Sequence, residues 1–599
     1  MATVLQPSDG LVTFEIKIGG AQIPDIVEVQ EIQLDMEINR ISSATLVIMD
    51  GGAIGSGKQT FENSEGKLFI PGQEIEITLG YDNSRKTAFK GVVVAQRLRV
   101  RNESSQLIIG CKDKAFGMTK VRSNAIFHNK TDSEAIKSIA SNYSGISLKL
   151  DQTTEKIPTN MQYNCSDWDF VVMRAEANNM VVTTHQNNLN IQKIDFSKKT
   201  DFEINASQFV IEIDLNLTNE DLVSEVGITA WDSHSQKEQT VTVALSDGLA
   251  QGNLSANKIA MQVGTKAAAI SSSAPLTEAE MKLMGASIIS KSVMAKIEGS
   301  ITVPGTTAIL AGDIITLSGF SKRYNGKAYI TRVSHELADG AWSTTLTVGA
   351  PKKFHASIPD VMSVPASGIL PAANGLQIAT VKKIIEDPFN NFRILISLSS
   401  FSGPGLVDGV WARLAVPYAT ENAGFFFFPE IGDEVIVSFL NNDPRFPVIT
   451  GSLYSSKRPP AETPEEGNRY KSIRTSSGIQ IRFDDEDKIL DIQTPAGNSI
   501  RLDDAEQSIV INDMHQNSLT MNEDGLSLVS VKDISLSAQG DIKLDATGEI
   551  VQEAQGDLTA TGANVDLQAS MSFKAEGGAS AELSSAGQTT VKGAIVQIN

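Results

Sequence analysis

Four sets of residues have types and spacing that could do chemistry, and each also has a plain structural reading. Gly52–Gln59 (GAIGSGKQ) comes within one residue of a phosphate-binding loop and follows a plausible strand, Thr45–Met49. In such a loop backbone N–H groups cradle phosphates, and a Ser or Thr after the lysine holds the magnesium ion. That position is Gln59 here and the next residues do not read as a helix, so a surface loop is expected. Histidines stand at 128, 185, 234, 335, 355 and 515, and none has a second His or Cys at metal-ligand spacing. His335 falls in a strand and is expected to be packed or hydrogen-bonded. The carboxylate runs Asp484–Asp487 and Asp503–Asp504 could be a glycosidase pair or a calcium site, but they recur at equivalent turn positions, which fits solvated corners better. Cys111 and Cys165 make no recognisable nucleophile arrangement with the distant histidines. No catalytic, cofactor-binding or metal residue is assigned, and the chain is expected not to be an enzyme.

What must position residues in a chain like this is set first by its composition. It has 599 residues, 41% of them hydrophobic, enough for three or four domains with real cores. The 51 basic and 71 acidic side chains leave a net charge of −20. Such a surface repels phosphate backbones and anionic lipid, so no nucleic-acid partner and only transient membrane contact are expected. Met1–Gly10 lacks a basic stretch followed by an apolar one, so no secretory signal is read there, and no apolar run approaches a spanning helix. Two cysteines make no disulfide framework and fit assembly in a reducing cytosol.

The expected fold class is mainly β. Residues 1–354 read as strands with a few helices. Ile75, Ile77 and Leu79, then Gly91–Val94, then Leu107–Gly110 form a layout that recurs at Ile314–Leu317, Tyr329–Val333 and Thr345–Val348, read as two related barrel-like subdomains. Thr131 with Glu134, Ser166 with Asp169 and Thr277 with Glu280 have N-cap spacing ahead of three helices, and Asn178-Asn179 could end the second in a left-handed turn. Residues 355–374 carry Pro359, Pro365 and Pro371 and read as a linker. Residues 375–455, with strands at Arg393–Ser397, Val410–Leu414 and Val435–Phe439, read as a small barrel of OB-fold size; residues 456–467 form a second linker.

Residues 468–599 carry the most information. There is no proline after Pro495, and after Phe483 the only aromatic is Phe573. Asp533–Gly540, Asp541–Gly548 and Glu549–Gly556 read DISLSAQG, DIKLDATG and EIVQEAQG, so Ile534, Ile542, Ile550 and Leu558 fall eight apart. A looser repeat precedes them at Ile479–Asp485, Ser499–Asp504 and Ser518–Asp524. Each octad is one short strand and one turn, with a dry and a wet face, and the glycine is expected to free the backbone for a sharp turn. Eight residues cannot enclose a core in one chain, whereas a single-chain coil needs about 20 or more. Three chains wound together can, as an intertwined triple-stranded β-helix; at ~4.8 Å per strand it would be roughly 75–80 Å long. A low-complexity disordered tail and a single-chain β-solenoid are the competing readings.

Several motifs carry a resemblance. Tyr163–Phe170 (YNCSDWDF) resembles the YNESDWDF signature of VgrG proteins, with Cys165 in the usual glutamate position. Pro429–Val435 (PEIGDEV), Phe439 and Asp443–Gly451 (DPRFPVITG) resemble segments of that family's OB-fold. The order of motifs also resembles the fused hub-and-spike proteins of contractile phage tails and extracellular injection systems.

The resemblance implies a homotrimer whose hub gives six quasi-equivalent units to mate with a hexameric inner tube protein. It implies an OB-fold collar, contacts with baseplate proteins, and a needle that pierces the target envelope on sheath contraction. It also implies a PAAR-like tip protein and possible effector cargo. The candidate tip-binding residues are Ile595, Val596, Gln597, Ile598 and Asn599, which would leave a blunt apolar end. Cytoplasmic assembly, then an extracellular location or delivery into a target cell after firing, is expected. Inserted lysozyme or appended toxin domains found in some relatives are not read here. The rival readings are a trimeric receptor-binding fibre and a β-helical polysaccharide-degrading enzyme.

Overall fold

The computed structural model describes residues 3–4, 10–52, 60–101, 104–207, 210–246, 248–262, 268–350, 353–401 and 409–598. The chain divides into two units, Met1–Leu453 and Tyr454–Asn599.

In the first unit the two recurring layouts are three-stranded units with the same pairing. Glu74–Tyr81 pairs with Ser84–Val100, which pairs with Ser105–Lys112. Ile314–Ser318 pairs with Gly326–Ala338, which pairs with Ala341–Val348. Both belong to one 14-stranded sheet, joined where Gly326–Ala338 runs antiparallel to Val29–Glu37 with His335 opposite Leu34. Period-2 alternation sends every second side chain inward. One core therefore gathers Leu46, Ile77, Phe89 and Ile109, and a separate one gathers Ile301, Ile315, Ile330 and Leu346.

The three helices start where the caps place them. Thr131 and Thr277 form complete capping boxes before Asp132–Ala140 and Glu278–Met294. Ser166 accepts the Asp169 N–H before Asp167–Ala177, and Asn179 takes a left-handed conformation after it. Asp132 is buried, but Arg174 grips both its oxygens at 2.6 and 2.8 Å while Asn160 and Asn178 donate to them.

The proline-punctuated stretch read as a linker begins as a strap fastened to this region. The His355 N–H donates to Glu176 Oε2 at 2.7 Å, and His355 Nε2 meets Asp169 Oδ1 at 2.8 Å. Lys291 donates to the other Glu176 oxygen and to the Lys353 carbonyl, Arg122 to the Val361 carbonyl, and Asn164 to Ser363. Pro359 and Pro365 each open a short 3-10 turn there, and the strap stays attached because carbonyls and side chains remain to be bonded.

A closed five-stranded barrel follows, in the order Gln377–Lys383, Ile394–Leu398, Val410–Leu414, Pro447–Ser452, Glu434–Phe439. Val381, Ile396, Ala412, Val437 and Ile449 fill it. The second unit opens with a meander of seven antiparallel strands between Tyr470 and Val529. From 531 to 598 no strand forms among the described residues of this single chain. The backbone instead bends about every eight residues, at 539–540, 547–548, 555–556, 578–579, 586–587 and 594–595 among other places.

Two local expectations need correcting. Gly540, Gly548 and Gly556 do not use left-handed φ, and a Cβ added to any of them would meet nothing within 4 Å. The bends are made with ordinary backbone angles, so turn strain is not why glycine stands there. Asp484 and Asp503 are also not solvated corners, being only 7% and 4% exposed. Each ends a strand and accepts N–H groups from the following turn: Asp484 from Glu486 and Asp487, Asp503 from Glu506. Arg469 and Arg501 close over them, so a buried charge at these positions is paired and hydrogen-bonded.

Candidate self-assembly interface

The register of the meander arranges its apolar residues in two columns. One runs Ile473, Ile481, Ile492, Ile500, Ile511, Leu519, Leu528, each directly opposite the next. The second runs Phe483, Leu490, Leu502, Ile509, Met521, Leu526. Directly opposed residues share a face, and positions two apart along a strand share it too, so both columns lie on one side of the sheet. The column between them faces the other way and runs Ser472, Arg482, Asp491, Arg501, Val510, Thr520, Ser527, polar except for Val510. Arg482 and Arg501 both reach Asp491 there, at 3.1 and 3.7 Å.

Among the described residues nothing covers the apolar side. Ile473, Phe483, Ile500 and Ile511 are about two-fifths exposed or more, and Leu526 is 66% exposed. The octads are barer still. Ile534, Ile542, Ile550 and Leu558 are each more than half exposed, and residues 531–598 are exposed throughout. Soluble proteins do not leave contiguous apolar stripes of this length open to water, so such a stripe marks an interaction surface. A strand-length backbone with unpaired N–H and C=O groups is likewise a template for pairing with other chains.

The candidate tip residues continue the pattern. Ile595 is 85% and Ile598 91% exposed, Val596 is half exposed, and Gln597 is exposed; Asn599 lies outside the described residues.

The other candidate groups resolve separately. Gly52 apart, the Gly52–Gln59 segment lies outside the described residues; a strand, Ser43–Met49, does precede it. Burial pushes the Cys111 thiol up to about 12 and raises Cys165 as well, which suppresses the thiolate that nucleophilic chemistry requires. His335 is buried against Trp342, with its Nδ1 2.9 Å from the Thr344 hydroxyl. His355 fastens the strap, a role its sequence context did not signal. Among the described residues no group of three or more His, Cys, Asp or Glu side chains is placed to hold a metal ion. No helix among them is long and apolar enough to cross a membrane.

Residues 8–339 match the family described as the Alg8 N-terminal domain. The chain belongs to that family. Residues 377–454, the closed barrel, match the type VI secretion system/phage-baseplate injector OB domain.

Curated relatives include the type VI secretion system spike protein VgrG1a of Pseudomonas aeruginosa, 27% identical over 199 residues. That alignment takes in 30% of this chain and 30% of the relative. The actin cross-linking toxin VgrG1 of Vibrio cholerae is 33% identical over 112 residues, 18% of this chain and 10% of the toxin. The chain thus spans under a third of the length of either, and is homologous to VgrG spike proteins over those stretches. Among solved structures, a prophage tail protein from Shewanella oneidensis aligns with 57% of this chain and 99% of its own at 13% identity and a TM-score of 0.44. A component of the type VI secretion system from E. coli aligns with 73% of this chain and 99% of its own at 14% identity and a TM-score of 0.37.

Proposed function

We propose that this chain is the structural spike of a contractile injection system and works as a homotrimer. The observation that carries the reading is the pair of apolar columns, continued by octads that bend every eight residues and find no partner in their own chain. Three copies of the same face, turned inward, cover one another. The polar column of Arg482, Asp491 and Arg501 is then left outside.

Three strands per level also pair the backbone of residues 531–598, which a single chain leaves unpaired. The open space around Gly540, Gly548 and Gly556 is where neighbouring chains pass. Intertwined strands resist bending, because bending would break many ladder hydrogen bonds together, and stiffness is what a driven needle requires. Winding also removes the free strand edges that would otherwise aggregate.

In this reading the hub seats on a hexameric inner tube protein and baseplate proteins. Ile595–Asn599 receive a PAAR-like tip, and effectors travel as cargo. The work is mechanical, with no catalytic step. The particle assembles in the bacterial cytoplasm and acts outside it. The homology to VgrG spikes and the injector OB domain support the reading.

Amide hydrogen exchange across residues 533–598 of the full-length protein tests it. The octad amides are expected to exchange slowly, as ladder-bonded amides do. Exchange at the rate of an unstructured peptide along the whole segment would overturn the reading.

A further inference from the structure

The barrel domain carries two exposed aromatic features that do not satisfy each other. The first is a hairpin. Ala419–Thr420 pairs with Ala423–Gly424, and the Phe425 N–H closes it onto the Tyr418 carbonyl at 3.0 Å. Phe428 packs back against the barrel core. Phe425, Phe426 and Phe427 stay outside, 51%, 78% and 59% exposed, with Tyr418 beside them at 54%. Exposed aromatics in one run are rare on a free surface and are the residue type that anchors protein interfaces. Glu421 stands exposed at the tip of this hairpin and makes no ion pair or hydrogen bond among the described residues.

The second feature is a groove of about 520 Å³ on the same barrel. Phe392, Trp411, Leu440 and Phe446 supply its apolar lining, and Arg393, Arg413 and Arg445 its charge, with Arg393 already paired to Asp387. Arg445 is already held by Asp443 and lies over the Phe446 ring, 5.3 Å from its centroid. Arg413 is exposed and has no acidic partner among the described residues. None of the hairpin residues lines the groove.

The geometry points to the aromatic hairpin of one copy seating in the groove of the next copy of this chain, with Glu421 meeting Arg413, so that the barrels close head to tail in a ring. The inference rests on the homotrimer proposed above and deepens it. Three arguments select a second copy as the occupant. The knob is aromatic with an unpaired anion, and the groove is aromatic with an unpaired cation, so the two are complementary in shape class and in charge. They are different patches of one domain, which is what a cyclic assembly with more than two copies requires, because only heterologous contacts close such a ring. The second unit independently needs neighbouring copies to cover its apolar face. Guanidinium groups stacking on aromatic rings suit this groove to a phenylalanine knob.

The test uses the full-length chain with Glu421→Cys and Arg413→Cys together, treated with a short bis-maleimide and run under denaturing conditions. Both positions are exposed, and the two native cysteines are buried at 1% and 5% exposure and will not compete. A ladder of two and three covalently joined chains is expected, absent from either single variant. Phe426→Cys with Leu440→Cys, both exposed, repeats the test at a second contact. A three-copy native mass with no ladder from either pair would overturn the hairpin-in-groove contact and leave the trimer standing. A one-copy native mass would remove both.

Discussion

Ile542→Lys is expected to abolish stable assembly of the C-terminal segment. In the proposed trimer Ile542 would point into the shared core, with three copies at one level. The substitution therefore places three ammonium groups together in a narrow apolar bore with no anion near them. Each unpaired buried ion costs several kcal/mol even after relaxation, so the level as a whole loses on the order of 10 kcal/mol. Asp545→Lys, three positions from Ile542 and therefore on the opposite, polar face of the strand, is expected to leave assembly intact. The measurement is the temperature at which the assembled species dissociates in detergent, for both variants and the parent. Equal behaviour of all three would contradict an inward-facing Ile542.

The second large effect is acid lability of the hub. Burial holds His335 down to about 4, with His185 adding to the effect, against an ordinary value of 6.5. Above pH 6.5 the imidazole is neutral in both folded and unfolded chains, and its contribution is fully present. As pH falls from 6.5 to about 4, the unfolded chain binds a proton that the folded chain refuses, and stability is lost at about 1.4 kcal/mol per pH unit. The loss amounts to roughly 3 kcal/mol per chain and is complete below about 4. His185, also held low by burial, acts in the same sense, whereas Asp113 and Asp313, pushed up by burial, act in the opposite one. A comparison of variants isolates the histidine. His335→Gln, which can still bond Thr344, is expected to unfold in less urea than the parent at pH 7.5 but to lose much less between pH 6.5 and 4. Parallel pH profiles for the two proteins would refute the assignment.

The parts of this molecule that were legible in sequence are those fixed by local chemistry. Thr131, Ser166 and Thr277 announced helix starts because a cap is decided within four residues. Strand faces followed from alternation, as with Ile75, Ile77 and Leu79. The spacing of Ile534, Ile542 and Ile550 reappears as bends of the same period, which run on as far as residues 594–595 although the sequence repeat is clear only to Gly556.

What the sequence left hidden is long-range. That Ile481, Ile492 and Ile500 stand in one column depends on register between strands, which the looser repeat near 480, 499 and 518 only hints at. Nothing near His355 in sequence marks it as the group that meets Asp169 and Glu176, some 180 residues upstream. The burial of Asp484 and Asp503 was hidden for the same reason. A carboxylate run reads as solvated until an arginine at 469 or a turn N–H is seen to close on it. In sequence the aromatic hairpin is marked only by the apolar run Phe425–Phe428, because its exposure is a property of the closed barrel.

The central claim is that three copies of this chain share the interface built from residues 470–598. Multi-angle light scattering of the purified full-length protein tests it most directly. A mass near three times 64.2 kDa, independent of dilution, is the expected result. A single chain of 64.2 kDa that stays folded through its C-terminal segment would contradict it.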